Sequence, residues 1–503
     1  MNSPEPHSST STGTGQALEK SRLVAVDIVF FVIAAAAPLV GMTGALPAAI
    51  VLGNGAAAPG AYLLVGLVLL LFSIGYAAMS HRVTNVGAFF AYIGRGLGIH
   101  FGVGSAFTSL LAYLAIHLSV YGFFGGLVAE QVGGLPWWGW SAVAWCLVTY
   151  LSLRRVDVGA RILGVLLVLE LLVLIVTSVA IFIKGGPELV QWGASFNPSN
   201  ILVGGLAGSA GIAFAFAFAS FIGFEATAIY GEEAVNPKKT VPRATYMAVT
   251  LIATLFAVTS FAVVTGLGAG NVVDKVVELT TVDGVPLANP AAVLFTLAST
   301  YVAPWLGKTM EVLVISSMFA GLLAFQNSAS RYFYALGRAG TLPVALSRVN
   351  RWGAPAAGSL ATSGITAMVI FLFAVNGLDP VVNMFFWFSG MAVLSILLIE
   401  ILVCFAVIAF FHSNPQGVNL LQSKIAPALA SIGLAVGLYL LMSRFGLLTG
   451  EVAEGVDPTV MAWGLNGLGW FMLWLPFAVL ALGGLYSRMR HAQKIEVIQD
   501  VVT

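Results

Sequence analysis

Four ionisable side chains stand deep inside apolar stretches of this sequence: His117, Glu170, Glu225 and Glu400. A charge in hydrocarbon is costly, so each is a functional hypothesis by default. Desolvation penalises the charged form, which is the property a proton carrier or a proton-sensitive gate requires. Glu225 has the most informative surroundings. Residues 218–235 read FASFIGFEATAIYGEEAV, an apolar run interrupted by Gly223 and then Glu225. Two readings stand for Glu225: a gate residue that responds to protons, or a structural group that caps a broken helix. Glu170 lies among Leu166, Leu167, Val173 and Leu174, with no polar partner on its own helix. It is either a carrier of a coupling proton or a neutral carboxyl hydrogen-bonded to a neighbouring helix. His117 reads as a packing residue sooner than as a relay. Glu400 reads as lying outside the core of any site, against a partner helix.

The elements that position these groups are membrane helices. Of 503 residues, 59% are hydrophobic and 9% charged, against roughly 25% charged in a soluble domain. Mean hydropathy is +0.96. A crossing helix needs about 20 largely apolar residues. Twelve such runs lie near 24–52, 60–80, 101–129, 137–153, 159–183, 206–231, 242–268, 309–335, 355–376, 383–411, 425–445 and 466–487. The runs are unbroken, without the period-two alternation of a transmembrane barrel. Alternate connections, counted from the N-terminus, hold 18 of the 22 Lys and Arg residues. That bias predicts an even number of crossings with both termini cytoplasmic.

Residues 1–19 are rich in Ser, Thr, Gly and Pro and predict a disordered tail without signal-peptide character. Residues 53–60 predict an external turn, 85–98 an amphipathic cytoplasmic segment, and 269–308 an external loop with short helices. The net charge of +1 gives no field for nucleic acid. Cys146 and Cys404 both sit in apolar runs, which excludes a disulfide framework and a cysteine-based zinc site. No phosphate-binding GxxxxGK[ST] run occurs, and GLGAG at 266–270 is a turn at the end of a span. Neither metal nor cofactor is expected. No catalytic constellation argues for an enzyme.

Two of the twelve helices should be discontinuous. In the first, Pro38 lacks an N–H and clashes with the preceding turn; Gly41, Gly44 and Pro47 follow it. In the sixth, Gly223 and Glu225 interrupt. The breaks are five spans apart, so the second copy of a five-helix unit enters the membrane from the opposite side. Such a pair points to an inverted-repeat transporter with its site at the midplane. Bare N–H and C=O groups at a break cannot face lipid. Half-helix N-termini favour a carboxylate, and free carbonyls favour an ammonium or a metal cation. A zwitterionic amino acid offers both charges.

Three stretches carry a family resemblance. SFIGFEATAIYGEEAVNPKKTVPRA (220–244) resembles the sixth helix and following loop of the amino acid–polyamine–organocation transporter superfamily. SASRYFYALGRAGTLP (328–343) resembles the end of its eighth helix. GYAAMSHRVTNVGAFFAYIGRGLG (75–98) resembles its junction of helices 2 and 3. The likeness extends over roughly 24–487. It implies an all-α membrane protein with repeats at 20–205 and 206–412, two further helices in 413–487, and a C-terminal tail at 488–503. It implies a secondary transporter of an amino acid or related amine in the cell membrane, a monomer or homodimer, driven by H+. A polyamine or amino acid exchanger, a Na+ symporter and a transport-inactive sensor are the alternatives.

The same resemblance implies site residues. Pro38, Gly41, Met42, Thr43 and Gly44 form the first half of the site, with the amides of 41–44 receiving the carboxylate and Thr43 Oγ1 adding a hydrogen bond. This departs from the Gly-Ser-Gly of many members. Ala219, Ser220, Phe221, Ile222, Gly223 and Phe224 form the second half, with carbonyls for the ammonium. Phe214, Phe218, Phe221 and Glu225 share a helical face. Glu225 resembles the family's link to the cytoplasmic gate. Glu170 stands where some members place a lysine that replaces sodium. It either carries the coupling proton or joins Ser328 and Ser330 in a cation site of oxygen ligands.

Overall fold

The computed structural model describes residues 24–83, 89–154, 157–205, 208–228, 234–415 and 417–491. The expected tail at 1–19 lies outside them. Among the described residues the chain is helical, with two isolated bridges, Val282–Val285 and Val452–Leu465, and no strand. Ten helical stretches are long and apolar enough to cross a membrane.

Helix starts follow the orphan-amide rule: the first turn needs a cap, or a residue with no N–H to satisfy. Helix α1 (Ala25–Ala36) opens with Asp27, whose carboxylate accepts the Val24 N–H at 3.0 Å. It ends at Ala37, which adopts φ 42°, ψ 68° ahead of Pro38. Helical backbone resumes as α2 (residues 38–54), with π-type turns at Gly41–Ala45 and Ala49–Asn54. Gly53 leaves helical geometry and Gly55 takes φ 58°, which turns the chain into α3 (Ala58–Ser80).

Next come α4 (Phe89–Leu97), α5 (Ile99–Val132), α6 (Trp137–Ser152) and α7 (Asp157–Lys184). Helix α8 (Ala210–Phe221) stops at Ile222 and Gly223, and one 3-10 turn follows over Phe224–Ala228. Helix α9 (Pro237–Leu267) starts on a proline. The connection after it holds α10 (Val272–Thr280) and α11 (Ala292–Tyr301). Helices α12 (Pro304–Arg338), α13 (Ala356–Val375), α14 (Pro380–Ser413), α15 (Leu421–Ser443) and α16 (Gly467–His491) complete the chain. Asp379 caps α14, accepting from the amides of Val381 and Val382, both at 2.7 Å.

Of the expected amphipathic segment at 85–98, residues 85–88 lie outside the described residues, and the rest is two-faced: Arg95 and Gly98 are exposed. Its described part, α4, buries Phe89, Phe90, Ala91, Tyr92 and Ile93 between α5 and α14. Phe89 and Tyr92 stack near Tyr76 of α3, at ring separations of 5.8 and 5.2 Å. Its aromatic rings find partners inside the bundle, while Arg95 at its end remains exposed. Helices α1 and α2 run through the middle, against α8, α9 and α12, while α3 packs along α9.

Candidate substrate and gate site

The two interruptions touch each other. A Cβ on Gly223 would fall 2.9 Å from Ala35 Cβ and 3.1 Å from the Ala36 nitrogen. Only glycine fits that approach, and its φ of 119° is also one that side chains rarely adopt. A Cβ on Gly41 would likewise meet Ser220 Cβ at 3.1 Å, so α2 and α8 approach within backbone range. Beside this junction lies a cavity of about 50 Å³. Ala35, Ala36 and Ala37 form one side with Val40, Gly41 and Ala45; Phe216, Ala219, Ser220 and Ile222 form another. Ile116 and Val120 of α5, Phe325 of α12, and Phe385 and Ser389 of α14 close it.

The first break leaves main-chain groups open. Ala37 donates to the Ile33 carbonyl, and Gly41 donates to Ala37 at 3.1 Å. Among the described residues no acceptor is found for the Leu39 and Val40 amides, and no donor for the Ala34, Ala35 and Ala36 carbonyls. The amide dipoles and the carbonyls therefore meet at one point with opposite sign. The unpaired amides precede the expected ones. Gly41 is already bonded, because a helix beginning at Pro38 leaves only its first turn unsatisfied.

The second break is closed by its own side chain. Glu225 is buried, and its Oε2 accepts the Gly223 N–H at 2.8 Å. Tyr113 of α5 donates to Oε1 at 2.9 Å, and Tyr76 of α3 donates to the Glu225 carbonyl at 2.7 Å. Tyr332 of α12 packs on Tyr113 at 5.3 Å between rings. Glu400 of α14 is also buried. Its Oε2 has no partner among the described residues.

Of the residues expected at the site, Gly41, Ala219, Ser220 and Ile222 line the cavity, while Pro38 and Gly223 shape the breaks beside it. Met42, Thr43, Gly44, Phe221 and Phe224 do not line it. Thr43 Oγ1 donates back to the Leu39 carbonyl at 2.7 Å. Gly44 faces Phe123. Phe221 packs edge-on against Phe256, and Phe224 against Phe72. The aromatic stripe is offset as well: Phe218 lies against Gly437 of α15, while Phe216 is the ring in the cavity. Phe216 stands three and four positions before Ala219 and Ser220. That spacing was the available signal for it. Ile116, Val120, Phe325, Phe385 and Ser389 carried no signal.

Glu170 is buried on α7, and Ser317 of α12 is the side chain its carboxyl approaches. Its Oε2 and the Ser317 hydroxyl complete no hydrogen bond among the described residues. Ser317 lies one turn from Gly321, which faces Ala37 at the first break. Ser328 and Ser330 are not brought to Glu170. They lie 11 and 13 positions beyond Ser317 on the same helix, about 16 Å or more along its axis. Ser330 donates to the Gln326 carbonyl at 2.6 Å. His117 is buried edge-on against Tyr121, with ring centroids 4.8 Å apart. Its nitrogens approach Gln326 and the Leu322 carbonyl without completing a hydrogen bond. Among the described residues no three His, Cys, Asp or Glu side chains cluster for a metal ion.

A family model described as amino acid permease matches residues 27–481. Over 335 residues the chain is 26% identical to an uncharacterized transporter of Legionella pneumophila, covering 64% of this chain and 67% of that one. It is 28% identical over 342 residues to a branched-chain amino acid permease of Lactococcus lactis, covering 62% and 67%. It is 22% identical over 371 residues to the lysine-specific permease of Saccharomyces cerevisiae, covering 70% and 58%.

Proposed function

The chain belongs to the amino acid permease family, and on that premise we propose that it carries an amino acid across the cell membrane by alternating access. Membership makes it a multi-pass membrane transporter and not an enzyme. The proposal adds twelve crossings, with inverted units at 20–205 and 206–412, the pair 413–487, and both termini cytoplasmic. Two features support the count. The apolar stretch Ala25–Ser80 is interrupted by the turn at Gly53 and Gly55, so it supplies two crossings. Trp137–Ser152 supplies a short one of 16 residues. The Lys and Arg bias supports the orientation.

The observation that carries the reading is the contact of the two breaks at Gly223 and Ala35–Ala36, with a cavity alongside. In this proposal the Leu39 and Val40 amides bind the substrate carboxylate. The Ala34–Ala36 carbonyls take its ammonium, with those of Ser220 and Phe221. Such recognition reads the head group alone. Helices α1 to α3 with α8 and α9 rock against α5 and α12 to α14; the packing of α3 along α9 supports treating the first set as one body.

The coupling ion in the proposal is a proton. Glu225 is its sensor at the cytoplasmic gate, because protonation would weaken its hold on Gly223 and Tyr113. Glu170, beside Ser317 and one helical turn from the residue that faces the first break, is the second coupling position.

Purified protein screened by thermal shift should be stabilised by its amino acid, since a ligand of the folded state alone raises apparent stability. Liposomes should then accumulate that amino acid under an inward proton gradient. Uptake driven by sodium alone would replace the coupling ion. Absence of both stabilisation and uptake for every amino acid would sink the transporter reading.

A further inference from the structure

The relatives' names point to different cargoes, a branched aliphatic side chain and a cationic one. The cavity wall discriminates between them. We infer that the substrate is a neutral amino acid with an aliphatic side chain, received between Ile116 and Val120 of α5, Phe325 of α12 and Phe385 of α14. The inference rests on the proposed transport function and narrows it.

Three observations carry it. First, the breaks occupy one side of the cavity, so a head group held there directs its side chain toward α5, α12 and α14. What faces it is hydrocarbon: Ile116, Val120, Phe216, Phe325 and Phe385. Second, the two hydroxyls in the wall are already engaged. Ser220 donates to the Phe216 carbonyl at 2.8 Å, which leaves Tyr62, at 3.2 Å, as donor to Ser220. Ser119 donates to the Phe385 carbonyl at 3.0 Å, so the 2.6 Å contact between Ser119 and Ser389 uses the Ser389 proton. Neither hydroxyl proton is free for a polar side chain. Third, no ionisable side chain lines the cavity. The nearby carboxylate, Glu225, has one oxygen on the Gly223 amide and the other on Tyr113. It does not line the cavity, so it does not face a lysine or polyamine nitrogen there.

A charged side chain would therefore enter without a counter-charge, and a hydroxyl would exchange water for a wall that is mostly hydrocarbon; both are disfavoured. Size grades the candidates: the cavity measures about 50 Å³, so every larger side chain displaces the wall, and an indole, the bulkiest, displaces it most.

The test is competition against uptake of labelled valine by the full chain in liposomes. Unlabelled alanine, valine, isoleucine and leucine should compete. Lysine, glutamate and putrescine should be at least about 100-fold weaker, and tryptophan about 10-fold weaker. Threonine should lose about 10- to 100-fold against valine, the range an apolar wall achieves against an added hydroxyl. If lysine or putrescine competes as well as valine, the inference is overturned while the transporter reading stands. If no amino acid is taken up or competes, both fall. Two variants place the result on these residues. Val120→Asp should raise the relative competition by lysine at least about 10-fold, and Phe325→Ala should admit phenylalanine. An unchanged order of competitors in both folded variants would overturn the assignment of this wall. If Val120→Asp does not fold, Phe325→Ala and the wild-type series still decide it.

Discussion

The two helix breaks are built by different chemistry, and the contrast assigns them different work. At Ala37–Pro38 the chain interrupts itself with a left-handed alanine and a residue that has no N–H. Among the described residues no acceptor is found for the Leu39 and Val40 amides. At Ile222–Gly223 the interruption depends on a glycine, and a carboxylate from the same segment already sits on the exposed amide. One break thus presents main-chain amides without an acceptor among the described residues. The other is an anion site filled by Glu225, which can vacate it only by taking a proton or by moving. The proposed mechanism uses both: a place for the cargo's carboxylate and a latch that responds to the driving ion.

The largest effect should come from fusing the breaks. Gly223→Val forces a side chain into Ala35 at a φ of 119°. Strain and overpacking together should cost about 3 kcal/mol or more, read as a lowered melting temperature and lost uptake. A variant that transports normally would show that the two breaks need no contact. Next is the latch. Glu225→Gln should keep substrate-induced stabilisation and flatten the pH dependence of uptake; an unaltered pH profile removes Glu225 from the gate. Tyr113→Phe removes one of the two hydrogen bonds to its carboxylate, about 1.5–3 kcal/mol for a bond to a charged group. It should displace that profile, while Tyr121→Phe leaves it in place.

Smaller effects test the first break. Ala37→Gly relieves a left-handed alanine and should stabilise the protein by about 1 kcal/mol, seen as a higher melting temperature; a lower one would contradict the φ at this position. Thr43→Val should leave substrate affinity within about twofold, because its hydroxyl is spent on Leu39. A large loss of affinity would return Thr43 to the site.

Both breaks were legible in the sequence because they are local chemistry. Pro38 cannot continue a helix, and Gly223 followed by Glu225 cannot sit in lipid unanswered. The position of the open amides was legible only to within a few residues. The glycines at 41 and 44 drew attention to themselves, but they serve close packing against Ser220 and Phe123. The face of α8 was misread by its phenylalanines: apolar rings mark packing and cavity alike, so Phe216 and Phe218 cannot be told apart by type.

By itself the sequence determined that this chain is a bundle of membrane helices, two of them broken, since hydropathy and helix-breaking residues act over one or two turns. Only the tertiary structure decided what surrounds the breaks. Ile116, Val120, Phe325 and Phe385 come from three helices far apart in the chain. In lipid those helices are arranged by steric fit and buried hydrogen bonds, and neither is written as a periodic pattern along the sequence.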